Sequence, residues 1–285
     1  YASPDGTLRG SGSYDNPIDI DTAIGIVQPG QTLVLKEGTY KRTTPIEIMY
    51  GDDGKEGAYK TVMAEKGKEV VIDGDKKVAN MIHSGSYWKF DGITFAYSGD
   101  NLKAFHLGGS HNIINNCVFH DNGDLGLQIS RVNGGIQNTY DKYPAYNLIS
   151  NCESYNNCDP SMINADGFGC KLTVGDGNKF VNCSAHHNLD DGWDLYTKLN
   201  SGAIGAVTLE NCVAYKNGIR LNEDGTETPY GAGGNNGFKL GGENVPVKHV
   251  LINCVAYGNV NDGFTSNYNP TLHLINAKAY NNNQH

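Results

Sequence analysis

Residues 182–198 read N-C-S-A-H-H-N-L-D-D-G-W-D-L-Y-T-K, and the first seven of them belong to a frame that recurs along the chain. The dipeptide Asn-Cys occurs at 116–117, 151–152, 182–183, 211–212 and 253–254, and Asn276-Ala277 stands in the same frame. In every copy a His or Tyr follows three positions after the Cys (or Ala277), and an Asn follows five positions after it. The spacing between successive Cys varies, at 35, 31, 29 and 42 residues, whereas the local frame does not. A short fixed frame with variable insertions is typical of a stacked repeat.

The short strands within each repeat indicate the architecture. The apolar segments between turns span about two to five residues, which is too short for pairs of helices. They favour an all-β fold, a right-handed parallel β-helix (a solenoid), in which coils stack about 4.8 Å apart and equivalent positions form columns. Cys is expected to fill an interior column as a small apolar residue rather than to form disulfides or bind metal. Asn is expected to bond along its own column at a bend.

The residues beside these columns give further expectations. Cys158 and Cys170 lie outside the Cys column, and whether they pair with each other stays open. The aromatic column holds His120 and His186 together with four Tyr, so we predict packed residues rather than catalytic ones at both positions. The neighbouring His187 is predicted to be exposed.

The first 30 residues predict a cap on the solenoid. Ile18, Ile20, Ala23, Ile24 and Val27 have the spacing of a short amphipathic helix, and Pro29-Gly30 ends it. A cap of this kind covers a sheet edge that would otherwise be open to pairing. We treat residues 1–285 as a single β-helix domain with 1–30 as its N-terminal cap region. The sequence stops at His285 without the turn that would complete the last coil, so we expect further C-terminal coils to be missing.

Composition excludes several classes of partner. The formal net charge is −9, with 22 Lys and Arg against 31 Asp and Glu, so no basic stripe is available for nucleic acid. No apolar run approaches the roughly 20 residues of a membrane span. A polyanionic sugar would be repelled unless cations bridge it to the protein. We interpret Tyr1 as the start of a mature or trimmed chain, and we expect a secreted monomer, with a periplasmic location as the alternative.

A second recurring frame, centred on Gly, carries the acidic residues. The residue before this Gly is Leu125, Asp166, Asp191, Asn236 or Asp262 in successive copies. Asp-Gly and Asn-Gly are turn dipeptides, which explains Asp262 without any function. The turn does not require an acid at Asp190 or Asp194, and Asp166 is expected one coil below Asp191. Four carboxylates held together repel one another unless a cation lies among them, and calcium takes 6–8 oxygen ligands. We therefore predict a calcium site at Asp166, Asp190, Asp191 and Asp194.

Lys239 occupies the position of Asp194 one coil further along the chain. It is either part of a structural ion pair or a base. A neighbouring divalent cation lowers the pKa of a Lys and favours the neutral amine. A neutral amine beside a metal-bound carboxylate is suited to removing the proton α to that carboxylate.

Three segments resemble the signature segments of polysaccharide lyase family 9, the parallel β-helix pectate lyases: N-A-D-G-F at 164–168, D-D-G-W-D-L-Y at 190–196 and N-G-F-K-L-G-G at 236–242. The resemblance implies calcium held by the four Asp and a Brønsted base at Lys239. It implies β-elimination on a 4-linked uronate, which leaves a 4,5-unsaturated sugar. The leading hypothesis is a calcium-dependent pectate lyase that acts on de-esterified homogalacturonan, an acidic polysaccharide of the plant cell wall.

A polyuronate needs cations along its groove, and we select Lys198 and Arg220 as candidate substrate-binding residues. Lys171 is predicted to be a plain surface charge. The loop 218–235, which precedes Lys239, is predicted to form one wall of the cleft.

Three alternatives stay open at this point. A rhamnogalacturonan I lyase would keep the chemistry and change the polymer. A β-helical glycoside hydrolase would need a carboxylic acid as proton donor paired with a second carboxylate, and Lys239 would then have no task. A non-catalytic β-helical carbohydrate-binding module would bind metal without turnover.

Overall fold

The computed structural model describes residues 1–230 and 232–283. One α-helix, α1 (Ile20–Ile26), precedes the strands of this described part. The strands are, in chain order, β1 (Thr32–Leu35), β2 (Gly38–Lys41), β3 (Ile46–Ile48), β4 (Lys60–Ala64), β5 (Val70–Asp73), β6 (Met81–His83), β7 (Trp88–Asp91), β8 (Thr94–Ala96), β9 (Phe105–Leu107), β10 (Ile113–Asn115), β11 (Val118–His120), β12 (Leu127–Ile129), β13 (Leu148–Ser150), β14 (Glu153–Tyr155), β15 (Phe168–Cys170), β16 (Lys179–Val181), β17 (Ser184–His186), β18 (Trp193–Asp194), β19 (Thr208–Glu210), β20 (Val213–Tyr215), β21 (Ile219–Leu221), β22 (Glu227–Pro229), β23 (Phe238–Lys239), β24 (Val250–Ile252), β25 (Val255–Tyr257), β26 (Phe264–Thr265), β27 (His273–Ile275) and β28 (Lys278–Tyr280).

These strands form three parallel sheets along one axis, which is the parallel β-helix predicted from the repeat. Sheet A has the order β1-β4-β7-β10-β13-β16-β19-β24-β27. Sheet B has the order β2-β5-β8-β11-β14-β17-β20-β25-β28, and sheet C the order β3-β6-β9-β12-β15-β18-β23-β26. Each of the first eight coils contributes one strand to each sheet, and the last described coil contributes β27 and β28 to sheets A and B. The pair β21–β22 is an antiparallel hairpin inserted within one coil, between β20 of sheet B and β23 of sheet C.

The interior columns predicted from the sequence are confirmed. The five Cys of the repeat are buried, and all seven Cys are free thiols, so Cys158 and Cys170 are not paired. The Asn column forms a continuous ladder in which each side-chain amide donates to the Oδ1 of the next Asn. Its five links have N···O distances of 2.8–3.0 Å. Its members are Asn122, Asn157, Asn188, Asn217, Asn259 and Asn282.

The Asn of each Asn-Cys dipeptide has a different role, which the sequence analysis did not assign. These residues adopt a left-handed conformation, with φ between 50° and 54°. Asn tolerates this region better than most residues that carry a Cβ. Their exposed side chains form a second ladder on the outside, as in the bond from Asn211 Nδ2 to Asn182 Oδ1 at 3.1 Å. Conformation and bonding together explain why the dipeptide recurs.

The aromatic column is a face-to-face stack with ring centroids 4.5–5.1 Å apart. His120 and His186 lie in this stack, as the packing hypothesis predicts. The prediction that His187 is exposed is wrong: it is 5% exposed. The hairpin β21–β22 folds back over this residue, and a local sequence pattern gives no sign of such a distant contact.

The N-terminal cap helix is confirmed. The side chain of Asp19 accepts a hydrogen bond from Thr22 N at 2.9 Å and caps α1, whose Ile20, Ala23 and Ile24 are buried. The chain turns at Gly92, where φ is +73°, and this turn separates β7 from β8. The expectation of further coils beyond His285 lies outside the described residues. The helix α1 is far too short to cross a membrane, and the described residues contain no other candidate span.

Candidate metal centre

The outer face of sheet C positions the candidate site. Phe168, Trp193 and Phe238 pair in register from coil to coil, and their fully buried rings stack in the interior. Side chains alternate between the two faces of a strand, so the next residue in each coil points outward. This outward column places Asp194 beside Lys239, as the alignment of the Gly frames predicts.

Three carboxylates converge at the turn that precedes these strands. One oxygen each of Asp166, Asp190 and Asp191 lie within 4.8 Å of one another, and all three residues are at most 4% exposed. Backbone groups fix their orientation. Asp166 Oδ1 accepts from Asp191 N at 3.1 Å, and Asp190 Oδ1 accepts from Gly234 N. The structure therefore brings together three of the four predicted acids as one group.

Asp194, the fourth acid, lies at the edge of this group between two ammonium groups. Its Oδ2 is 2.8 Å from Nζ of Lys171 and 3.5 Å from Nζ of Lys239. Lys171 also lies 2.6 Å from Asp166 Oδ2, and Lys239 lies 3.2 Å from Asp191 Oδ2. The prediction that Lys171 is a surface charge is wrong. Its side chain is 14% exposed and belongs to the cluster, because the strand β15 ends just before it and turns it back over Asp166.

The electrostatics of this cluster are unfavourable without a further cation. Burial, together with the neighbouring carboxylates, raises the pKa of Asp166 to about 7 and that of Asp190 to about 9. Burial also raises the pKa of Asp191, although Lys239 opposes it. Burial acts in the same direction on Asp194, but Lys171 and Lys239 outweigh it and lower its pKa. For Lys239 burial acts to lower the pKa, and the four carboxylates outweigh burial and raise it.

The cluster fits a divalent cation by charge and by donor type. Four carboxylates against the two ammonium groups of Lys171 and Lys239 leave two negative charges in a buried setting. Two buried oxygens, Asp191 Oδ2 and Asp194 Oδ1, have no hydrogen-bond partner among the described residues. Asp191 Oδ2 does lie near Lys239 Nζ, but outside hydrogen-bonding geometry. Oxygen donors of this kind suit a hard divalent cation.

A groove of about 540 Å³ runs past the cluster and continues toward the N-terminal coils. Lys171, Lys239, Asp190 and Asp194 line it, together with Tyr196. The Lys239 ammonium lies 5.5 Å from the centroid of the Tyr196 ring. Further along, the groove contains the ion pair of Lys103 Nζ and Asp124 Oδ2 at 2.9 Å, which the sequence analysis missed.

The two predicted substrate-binding cations do not line this groove. Arg220 lines a separate cavity of about 660 Å³, with Tyr97, Asp121 and Cys158. Lys198 forms a backbone bridge with Gly202 past the end of β18, and its side chain is half-buried. The structure thus brings Lys171 and Lys103 into the groove in place of Lys198 and Arg220.

The loop 218–235, predicted to form a wall of the cleft, instead contacts the carboxylates through two glycines, and none of its described residues lines the groove. A Cβ on Gly233 would lie 2.7 Å from Asp190 Oδ1, and a Cβ on Gly234 would lie 2.5 Å from Asp191 Oδ1. Asn236 donates to Asp191 Oδ1 from both its N and its Nδ2, each at 2.8 Å. The signal available in the sequence was the Gly-Gly-Asn-Asn run immediately before the Lys239 segment.

A family model and two curated relatives, compared with this chain, point to the same group of proteins. The family model described as Pel9A-like, right handed beta helix region matches residues 1–285. Pectate lyase L of Thermoclostridium stercorarium is 51% identical over 282 residues, which cover 99% of this chain and 22% of that relative. Pectate lyase L of Paenibacillus polymyxa (strain SC2) is 39% identical over 291 residues, which cover 100% of this chain and 63% of that relative. This chain thus spans less than two thirds of the length of either relative.

The crystal structure of pectate lyase Pel9A superposes with a TM-score of 0.82 at 33% identity. The match covers 99% of this chain and 69% of that one. The superposition and the family description confirm the predicted right-handed parallel β-helix.

Proposed function

Because the chain belongs to the Pel9A-like family of right-handed β-helix proteins, as its resemblance to polysaccharide lyase family 9 predicted, we propose that it is a calcium-dependent pectate lyase. Its substrate in this proposal is de-esterified homogalacturonan, cleaved by β-elimination to 4,5-unsaturated oligogalacturonides. The pectate lyases that match nearly the whole chain support the reaction. The observation that carries it is the position of Lys239 Nζ, 3.2 Å from Asp191 Oδ2 at the rim of the three-carboxylate cluster.

The proposed calcium ligands are Asp166, Asp190 and Asp191, with Asp194 at the edge of the group. Three carboxylates do not fill a shell of 6–8 oxygens, so positions remain for a substrate carboxylate and for water. When bound, calcium would neutralise the uronate carboxylate and stabilise the negative charge that develops as the α-proton leaves.

Lys239 is the proposed Brønsted base. Its Nζ takes the proton from C5 of the uronate, and that electron pair forms the C4–C5 double bond. The C4–O4 bond breaks, and the departing oxygen takes up a proton from water. A Lys acts as a base only in its neutral form, so charge on the surrounding carboxylates opposes this role and neutralisation of that charge favours it. The Tyr196 ring, which lies close to the ammonium, restricts where Nζ can point.

Three ammonium groups along the groove suit an acidic polymer. Lys103, Lys171 and Lys239 all line it, whereas the chain as a whole carries a net charge of −9. Asp124, Asp190 and Asp194 line the same groove, so a bound cation has to offset their charge before the groove attracts a polyuronate, which most of the remaining surface repels. We propose that the protein is secreted and acts as a monomer, since its substrate is a polymer outside the cell.

The test is the ultraviolet absorbance of the conjugated unsaturated uronate. Polygalacturonate and rhamnogalacturonan I are supplied in parallel, each with calcium and with a chelator. The proposal predicts a calcium-dependent rise on polygalacturonate, with a rate that increases toward alkaline pH as the Lys base loses its proton. A rise restricted to rhamnogalacturonan I would move the specificity to the other polymer. New reducing ends without the absorbance rise would indicate hydrolysis. If neither new reducing ends nor absorbance appeared, the protein would be a non-catalytic binding module.

A further inference from the structure

The inserted segment before Lys239 is attached to the β-helix at two ends, and the two ends have different chemistry. We call residues 218–230 and 232–236 the hairpin insert. It contains the antiparallel pair β21–β22, with Leu221 opposite Glu227. One end of it lies against the aromatic stack of sheet B, and the other lies against the carboxylates of the candidate metal centre.

At the sheet B end, a chain of hydrogen bonds joins the insert to two buried histidines. Glu227 Oε1 lies 3.1 Å from His187 Nε2 and 2.6 Å from Lys216 Nζ. His187 Nδ1 lies 2.6 Å from His186 Nδ1, and His186 Nε2 lies 3.1 Å from Glu153 Oε1. Three contacts thus run in series from Glu227 on the insert to Glu153 on β14.

The stack holds this pair of imidazoles in place. His186 is sandwiched between the rings of Tyr155 and Tyr215, with centroids 5.0 Å and 4.5 Å away. The outer nitrogen of each ring faces a carboxylate, and the two Nδ1 atoms face each other, so each imidazole has a polar partner on both sides. The two imidazoles are buried, at 8% and 5% exposed, whereas the side chains of Glu153 and Glu227 are 43% and 36% exposed.

At the other end, the insert contacts the carboxylates directly. Gly234 N donates to Asp190 Oδ1, and no Cβ fits at Gly233 or Gly234 without meeting these acids. His187 and Asp190 are three residues apart on the same turn of the β-helix. The insert therefore bridges the two ends of one short turn, contacting His187 through Glu227 and Asp190 through Gly234.

We propose that His187 and Glu227 are positioning residues of the metal centre. Their contact fixes the insert so that the Gly234 N–H reaches Asp190 and orients its carboxylate toward Asp166 and Asp191. Without this contact the sheet B end of the insert keeps the hydrogen bond from Leu221 N to Asn156 Oδ1 at 3.2 Å, but the insert is held less firmly and the ligand oxygen of Asp190 can turn away more easily. This inference rests on the proposed calcium site. It assigns to His187 and Glu227, on the sheet B side, the role of orienting a metal ligand without contacting metal or substrate.

The test is a calorimetric titration of calcium into the protein without substrate. Glu227→Ala removes the acceptor for His187 and is expected to weaken calcium binding about tenfold, as is common for residues that orient metal ligands. Glu227→Gln keeps an oxygen acceptor at the same position and is expected to stay within about twofold of the unmodified protein. Glu153→Ala is the matched control, because it removes the carboxylate at the other end of the same histidine pair and leaves the insert untouched. It too is expected to stay within about twofold.

Two results would overturn the inference. In one, Glu227→Ala binds calcium as tightly as the unmodified protein. In the other, Glu153→Ala loses as much affinity as Glu227→Ala, which would mean that the histidine pair acts through the general stability of sheet B. Thermal unfolding of each variant, measured alongside, identifies a loss of fold. If the unmodified protein itself binds no calcium, the proposed function fails, and that result is distinct from a failure confined to the variants.

Discussion

Two columns of the β-helix follow opposite rules. The interior ladder keeps one residue type, Asn, over six coils from Asn122 to Asn282. The outer column of sheet C changes at every coil, and its residues are Gln128, Gly169, Asp194, Lys239 and Thr265. A ladder needs the same donor and acceptor in each coil, because every member bonds to both neighbours. The outer column has no such requirement, so its residues are available for chemistry.

The difference has an energetic counterpart. Each buried amide of the ladder has its partners within the ladder or on the backbone, so the column stabilises the fold. The carboxylates of the candidate metal centre are buried without enough partners, and burial raises the pKa of Asp166, Asp190 and Asp191. We interpret the column that keeps one residue type as a source of stability. We interpret the buried, charged residues that break the repeat as candidates for function.

The largest expected effect lies in the variable column. Lys239→Ala removes the proposed base and is expected to lower kcat by about a thousandfold or more, with the fold intact. The control is Lys179→Ala, which breaks an ion pair with Glu210 on the outside of sheet A (2.6 Å). The ultraviolet assay with polygalacturonate measures both variants. Activity retained in Lys239→Ala, or lost equally in the control, would contradict the assignment of the base.

Acid acts on the buried interior in two opposite ways. Protonation of Asp166 and Asp190, whose pKa burial raises to about 7 and about 9, favours the folded state, whereas the interior histidines favour unfolding. Burial lowers the pKa of His83 to about 4 and that of His249 to about 3, from an ordinary value of 6.5. The folded state keeps these imidazoles neutral, whereas the unfolded chain takes up protons below pH 6.5. These histidines therefore do not lower the free energy of unfolding above pH 6.5. As the pH falls toward 4 they lower it, by roughly 3 kcal/mol for His83 alone.

Urea unfolding at pH 7 and pH 4.5, compared between the unmodified protein and His83→Gln, isolates the contribution of His83 from that of the buried carboxyls. His83→Gln retains a donor for Asn112 but cannot take up a proton, so its free energy of unfolding should depend less steeply on pH. An unchanged pH dependence in His83→Gln would show that other groups cause the acid sensitivity.

A smaller effect is expected from the constant ladder. Asn122→Ala removes an amide that donates to Asn157 Oδ1 at 2.9 Å and accepts from Ser98 N at 3.0 Å. Partners left unsatisfied in the interior should lower the free energy of unfolding by about 2 kcal/mol. Calcium binding should be unaffected, because Asn122 lies outside the acid cluster. If Asn122→Ala lost calcium affinity without losing stability, the claim that the two columns have separate roles would be wrong.

The smallest effect is expected from the outer ladder. Asn211→Gly keeps the left-handed conformation, φ 54°, and removes two exposed side-chain links, one to Asn182 and one from Asn253. The free energy of unfolding should change by less than about 0.5 kcal/mol, because glycine adopts this conformation readily and water replaces the lost partners. Asn211→Val, which cannot adopt it without strain, should be distinctly less stable than Asn211→Gly. Equal stability of the two variants would show that conformation does not select Asn here.

The positions of residues that repeat in register from coil to coil could be predicted from the sequence. The Cys frame predicted the solenoid, and alignment on the Gly frame placed Asp166 beside Asp191 and Lys239 beside Asp194. These predictions succeeded because coil stacking converts a sequence alignment directly into neighbourhood in space.

The sequence was insufficient where a side chain or an insertion leaves the repeat. Lys171 turns back over Asp166, which depends on the end of β15 rather than on any spacing. His187 is buried by a hairpin that begins about 30 residues later in the chain. Arg220, expected in the groove, lies in another cavity because it stands on that hairpin. Contacts of this kind depend on how an insertion folds. They therefore cannot be predicted by aligning the repeats.

Calcium titration of the unmodified protein and of Asp190→Asn distinguishes a metal centre from an acid cluster that holds no metal. We expect one calcium ion per chain for the unmodified protein. For Asp190→Asn we expect a loss of roughly a hundredfold or more in calcium affinity, with no loss of thermal stability in the absence of calcium. Stability is retained because the substitution removes a carboxylate whose pKa burial has already raised to about 9. Absence of binding in the unmodified protein, or equal binding in Asp190→Asn, would contradict the claim that this departure from the repeat is a metal centre.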